Sequence, residues 1–232
     1  QNMRSKNSTT QEIKRGGIFS ERGNTAQTAF NQLKKNQFYD FDGGFKIDYV
    51  QNSSGKNLRY TVNNTMMRID LPMPLRKGQK FSFNIKWWFN INDRMDIGGR
   101  SGYEYFEEDD NYLYTIAQFF PRMAVYNDVE GWQNKQFLGS GEFTLPFGDY
   151  KVSITVPSDH VVASTGKLTN EGKILSAKQR MRLSKDKRNY DDPVIIVTQE
   201  EAELAEKEKS ENSKTWIFEA TNVRDFAFAT SR

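Results

Sequence analysis

Phe81, Phe83, Ile85, Trp87 and Phe89 fill every second position of the stretch Lys80–Asn90, and Ser82, Asn84, Lys86 and Asn90 lie between them. Successive side chains of a strand point to opposite faces, so this spacing gathers five large apolar groups on one side of a sheet. An α-helix would scatter the same residues around its axis. Trp88 alone breaks the alternation and falls on the polar side.

The same period of two recurs. Phe45, Ile47 and Tyr49 alternate with Lys46 and Asp48; Leu58, Tyr60 and Val62 with Arg59 and Thr61; Met67, Ile69 and Leu71 with Arg68 and Asp70; Tyr150, Val152, Ile154 and Val156 with Lys151, Ser153 and Thr155. Turn-forming residues separate these runs at Asn52–Gly55, Arg76–Gly78, Phe147–Asp149 and Ser164–Gly166. Phe143–Val156 reads as a hairpin about Pro146–Asp149. Val161–Ala163, Lys167–Thr169, Val194–Val197, Thr215–Ala220 and Phe226–Ala229 read as further short strands. The expectation is an all-β, antiparallel, saddle-like β-sandwich with one or two short surface helices.

Three segments carry a helical pattern. Ala26–Phe38 presents Ala29, Phe30 and Leu33 on one side, within an otherwise polar, turn-rich segment 1–44. Ala177–Leu183 is the second. The third, Glu200–Lys209, follows a capping box of Thr198 and Glu201, and its apolar side is only Ala202, Leu204 and Ala205. No Pro-rich linker or repeat interrupts the chain, so residues 1–232 read as a single β domain with a loop-rich entry over 1–44.

Composition narrows the chemistry. The 232 residues include no cysteine and one histidine, His160. Thiolate metal sites, cysteine nucleophiles and sites with two histidine ligands from one chain are therefore excluded. No run of about 18 apolar residues spans a bilayer, and the first residues carry no apolar signal core. Lys and Arg number 33 against 30 Asp and Glu. The basic pairs Lys34-Lys35 and Arg76-Lys77 and the run Lys185–Arg188 are dispersed among acids, which argues against nucleic-acid binding.

Other features have modest readings. Glu107–Asp110 lacks the interleaved glycine and distal glutamate of a calcium loop and reads as a solvated hairpin tip. His160, after Pro157-Ser158-Asp159, reads as a turn histidine; Gly139-Ser140-Gly141 is not a nucleophile elbow. Asn7, Asn52 and Asn63 each begin an Asn-x-Ser/Thr triplet, a short pattern that arises by chance. Trp87, Trp88, Tyr103, Tyr105, Tyr112, Tyr114 and Trp132 make the middle of the chain aromatic, and Trp88 is the best candidate for an exposed contact. Tyr112, Tyr114, Ile116 and Gln118 share a face, and the Gln118 carboxamide, a donor and an acceptor, ends that strand.

Two long stretches resemble a known family. They are Tyr114–Trp132 (YTIAQFFPRMAVYNDVEGW) and Gly141–Gly166 (GEFTLPFGDYKVSITVPSDHVVASTG). Both look like the N-terminal domain of the gluzincin zinc aminopeptidases, the aminopeptidase N and leukotriene hydrolase group, in its bacterial form. Trp216–Ser231 (WIFEATNVRDFAFATS) resembles that domain's last strands. The resemblance covers roughly Phe81–Arg232, and the preceding residues only loosely.

The resemblance implies a non-catalytic, saddle-shaped domain that packs on a zinc-bearing, thermolysin-like catalytic domain and helps shape its substrate cleft. That partner domain, with its His-Glu-x-x-His zinc motif, is expected after Arg232, and the family's first strand pair before Gln1. No catalytic residue and no metal ligand is expected in this chain. Zinc belongs to the partner, and the peptide substrate to the cleft. The family sends a glutamine toward the free amine of the peptide, and Gln118 matches it. Phe120 stands where the family usually has an acidic or amide partner, which implies a more apolar first pocket. A secreted or periplasmic location follows from family habit. The alternative is a self-standing carbohydrate- or protein-binding sandwich that uses Trp88 and the Tyr103–Tyr114 aromatics; an adhesion-type structural domain is a third reading.

Overall fold

The computed structural model describes residues 41–97, 99–135, 144–186, 193–207 and 209–232. The expected helix over Ala26–Phe38 and the Gly139-Ser140-Gly141 segment lie outside them. The described residues fall into two compact units. Unit 1 takes those up to Asn92 and those between Met123 and Thr144; unit 2 takes those of Asp93–Arg122 and Leu145–Arg232.

In unit 1, strands β1 (Lys46–Asn52) and β4 (Phe83–Trp88) pair antiparallel, with Val50 opposite Ile85. Burial alternates along β4 as its sequence period requires: Phe83, Ile85 and Trp87 are half-buried while Asn84, Lys86 and Trp88 are exposed. Along β1 the expected face of Phe45, Ile47 and Tyr49 does not hold. The register shifts between Ile47 and Tyr49, and such a bulge moves later side chains to the other face. Val50 is therefore 2% exposed and Tyr49 38%.

The strands β2 (Tyr60–Asn63) and β3 (Met66–Ile69) form a hairpin whose turn sets Asn64 at φ 51°. Val62 and Leu71 are exposed, so alternation here marks a ribbon and not a buried face. A second small hairpin joins β7 (Tyr126–Asn127) to β8 (Gly131–Trp132). Its turn is tied by the Asn127 side-chain oxygen, which accepts from the Val129 and Glu130 amides.

Unit 2 is an antiparallel sandwich. One sheet has the order β10 (Val161–Ser164), β13 (Phe228–Ser231), β6 (Asn111–Ile116), β5 (Gly102–Phe106); the other has β11 (Lys167–Leu168), β12 (Ser213–Val223), β9 (Gly148–Pro157). Ile154 of β9, Val162 of β10, and Trp216 and Phe218 of β12 join Leu175 and the fully buried Phe226 in one apolar cluster. Inward residues of both sheets thus meet, as a period of two on each strand demands.

The chain changes sheets between β9 and β10, again between β10 and β11, and again between β12 and β13. At the second crossing Gly166 holds φ +89°, and a Cβ there would lie 2.5 Å from the Glu219 carbonyl oxygen. No other residue type fits so close an approach.

Two of the sheet expectations fail in unit 2. Pro146–Asp149 is not a hairpin turn: β9 already begins at Gly148 and pairs with β12 from Gly148 to Pro157, while Thr144–Phe147 hold no strand. The period marks a strand's buried face but not its partner. Val194–Val197 is not a strand either. The run does not alternate, Ile195 is 69% exposed, and the Ile196 carbonyl accepts from Arg182 Nη1.

Four short helices occur among the described residues: α1 (Arg94–Ile97), α2 (Glu171–Ile174), α3 (Ala177–Asp186) and α4 (Gln199–Glu206). The last two match the sequence expectation. At α4 the Thr198 hydroxyl accepts from the Glu201 amide, and Glu201 Oε2 accepts from the Thr198 amide. The reciprocal capping box is formed, and Leu204 faces solvent.

Candidate functional site

Strand β6 ends where Ile116 pairs with Phe228 of β13. The next amide, Ala117 N, donates to the hydroxyl of buried Ser101 at 3.1 Å. Gln118 then takes φ 52°, in the left-handed region, where a side chain other than glycine's costs about 1–2 kcal/mol. The sequence period placed Gln118 as the strand's last residue, on the face of Tyr112, Tyr114 and Ile116. It stands instead two residues past the strand, on a turn. The residue is half-buried, and its carboxamide has no hydrogen-bond partner among the described residues.

The residues that follow are firmly held. Phe119 meets Phe228 edge to face at 5.4 Å, and Phe120 meets Phe119 at 5.0 Å and Tyr150 at 5.8 Å. Both rings pack against the sandwich core. Phe120 is thus half-buried with its ring turned to Tyr150. Arg122 Nη1 then donates to Asp225 Oδ2 at 2.8 Å, while Asp225 Oδ1 accepts from the Phe226 amide. No local sequence pattern marks this ion pair, because 103 residues separate its partners.

Trp88, in unit 1, is 50% exposed, with Lys46 Nζ 5.9 Å from its ring centroid. The out-of-phase position predicted that exposure.

Tyr103, Tyr105, Tyr112 and Tyr114 line up on β5 and β6, where Tyr103 pairs with Tyr114 and Tyr105 with Tyr112. Their rings pack on one another, 4.7 Å apart for Tyr105 and Tyr112. Only Tyr112 and Tyr114 stack face to face, and Tyr105 and Tyr112 remain exposed. Glu107–Asp110 form the hairpin tip as expected. Asp110 is held below the usual carboxylate range, first by Lys209 and then by the Tyr105 hydroxyl.

His160 is not an open turn residue. It is 8% exposed, and its Nδ1 lies 3.1 Å from Thr230 Oγ1. Burial pushes its pKa down against the opposing pull of Asp159. Beside it runs a groove of about 390 Å³ between α4 and the sheet of β10 and β13, lined by Val161, Ala163, Ala202, Ala229, Asp159 and Lys214 among others. Burial lowers the pKa of Lys214, whose ammonium sits 5.1 Å from the Trp216 ring centroid. One Asp159 oxygen, Oδ1, is buried without a partner. Lys214 lies in phase with Trp216, Phe218 and Ala220, so the alternation of β12 was the signal for its inward position. Among the described residues no group of three or more His, Asp or Glu side chains is placed to hold a metal ion, and no helix is long and apolar enough to cross a membrane.

No protein-family model matches the chain, and no curated protein does. Among solved structures the chain is similar to an M1 zinc metallopeptidase from Deinococcus radiodurans, at 14% identity and a TM-score of 0.40. An E323A mutant of an M1 zinc metallopeptidase from that organism, bound to a Tyr-Ser-Ala substrate, gives the same identity and TM-score. Each match covers 81% of this chain and 32% of the other. The chain thus spans about a third of the length of the structures it matches.

Proposed function

We propose that this chain is the non-catalytic N-terminal β domain of a zinc aminopeptidase, that it packs on a catalytic domain, and that it shapes the substrate cleft of that domain. The reading rests on the resemblance carried by Tyr114–Trp132, Gly141–Gly166 and Trp216–Ser231. The observation that carries it at the level of a site is Gln118, a non-glycine residue on left-handed backbone whose carboxamide has no partner among the described residues. Strain of this kind persists where the surrounding structure over-determines it, and it clusters at functional positions. A carboxamide can accept from the α-ammonium of a peptide and donate to a carbonyl. Phe120 backs the turn and offers its remaining exposed edge to the first side-chain pocket. Trp88 is the residue of unit 1 offered to the partner domain. Zinc would be held by that partner, and a secreted or periplasmic location belongs to the same reading.

The test uses the intact gene product. It should release N-terminal residues from peptides in a zinc-dependent way, and Gln118→Ala should raise KM for aminoacyl substrates. A whole protein without peptidase activity when supplied with zinc overturns the reading; unchanged kinetics in Gln118→Ala remove Gln118 from the site. The alternative, a self-standing binding module, is favoured by the exposure of Trp88. Glycan or protein capture abolished by Trp88→Ala would support it.

A further inference from the structure

Residues 117–122 are pinned at both ends and in the middle. The Ser101 hydroxyl holds the first amide, Phe119 and Phe120 pack against the apolar core, and Arg122 is paired with Asp225. The anchors converge. Asp225 holds the amide of Phe226, which is 0% exposed, and Phe226 packs 6.1 Å from Tyr150, the ring that also receives Phe120. The Tyr150 hydroxyl donates to the Arg224 carbonyl at 3.4 Å. A closed circuit therefore runs from the turn through Phe120, Tyr150, Phe226 and Asp225 back to Arg122, and Gln118 is the member of the turn whose side chain has no partner within it.

We infer that the Arg122–Asp225 ion pair is a clamp that holds the Gln118 turn in its left-handed conformation, so that Arg122 and Asp225 are positioning residues for the Gln118 carboxamide. This rests on the reading of Gln118 given above. The side chains are 22% and 35% exposed, so the pair is partly shielded from water and salt, unlike a fully exposed ion pair of little energetic weight. A turn that served only to connect β6 to β7 would need neither a strained glutamine nor three anchors in six residues.

The test compares Gln118→Ala, Arg122→Gln and Arg122→Lys in the intact protein, with amide hydrogen exchange over 117–122 read beside steady-state kinetics. In Arg122→Gln, exchange over the turn should quicken and KM for aminoacyl substrates should rise about tenfold, while kcat stays within about twofold. Arg122→Lys, which keeps the charge, should recover most of the loss. If Arg122→Gln does not fold, the exchanged pair Arg122→Asp with Asp225→Arg should restore both readouts. Unchanged exchange in Arg122→Gln overturns the clamp. A raised KM in Gln118→Ala beside an unmoved KM in Arg122→Gln overturns the positioning role and leaves Gln118 in place. Faster exchange with KM unmoved in both variants removes the Gln118 reading, and the positioning role with it.

Discussion

The imidazole Nδ1 of His160 stands 3.1 Å from the hydroxyl of Thr230, and both residues are buried. His160 sits in the turn before β10, and Thr230 in β13, the neighbouring strand. The charged groups near the ring are Asp159, Arg232 and Lys214, but burial is the largest influence, and it favours the neutral form.

The pH dependence follows from that direction. The folded pKa lies below the ordinary value of 6.5. As pH falls below that value, the unfolded chain binds a proton that the fold refuses, so stability is lost toward the folded pKa and levels off beneath it. His160 is the chain's only histidine, so the window between pH 7.5 and 5.5 isolates it. The urea midpoint should fall across that window in the native sequence and much less in His160→Gln. Equal slopes would contradict this. Asp110 and Glu201 have lowered pKa values, through Lys209 and Arg182 respectively. Their contributions are present above the ordinary carboxylate values and go only at more acidic pH.

Gly166 and Gly78 both hold positive φ, +89° and +80°, but only Gly166 faces an obstacle. A Cβ at Gly78 meets nothing within 4 Å, whereas at Gly166 it would meet the Glu219 carbonyl and Ala220 Cβ. Gly78→Ala should cost about 1 kcal/mol from backbone strain alone. Gly166→Ala adds a steric clash between strands and should cost more than about 3 kcal/mol, or prevent folding. Denaturant titration of the two variants gives the comparison, and similar losses would argue against the close crossing.

The inner face of β1 shows how far the sequence could be read. Alternation located β4 and β9 with the correct buried face, because an uninterrupted strand keeps its phase. In β1 the phase is lost at a bulge, and nothing in Lys46–Val50 announces it. Val50→Ala should therefore cost about 2 kcal/mol, as deletion of buried methyls does. Tyr49→Ala, at an exposed position, should stay within about 0.5 kcal/mol. Thermal unfolding of both variants checks the order, and the reverse order would mean that the strand has no bulge. The capping box at Thr198 was legible for the opposite reason: its partners lie three residues apart, so the chemistry is local. Arg122–Asp225 joins residues far apart in sequence, and no local pattern encodes such a pair.

Thr198→Ala removes the hydroxyl that accepts from the Glu201 amide. The loss should be about 1 kcal/mol. Glu201 also accepts from Arg182 Nη1 at 2.6 Å, so Glu201→Ala removes a cap and an ion pair together and should cost more. If hydrogen exchange in Gln199–Glu206 shows equal protection in the native sequence and Thr198→Ala, the cap does not hold this helix.

Gln118→Gly separates stability from function in one substitution. Glycine populates left-handed backbone without penalty. The fold should therefore gain up to about 1 kcal/mol by release of strain, less the larger chain entropy that glycine gives the unfolded state. The same change removes the carboxamide, so under the proposed function the intact protein should bind aminoacyl substrates as poorly as Gln118→Ala does. Gln118→Ala keeps a Cβ on left-handed backbone and should show no comparable gain. A midpoint that rises in Gln118→Gly with KM also rising is the expected pair of results. A midpoint that falls by more than Gln118→Ala lowers it would mean that the glutamine side chain stabilises the turn through contacts of its own, and that φ 52° is not a strain held in place for recognition.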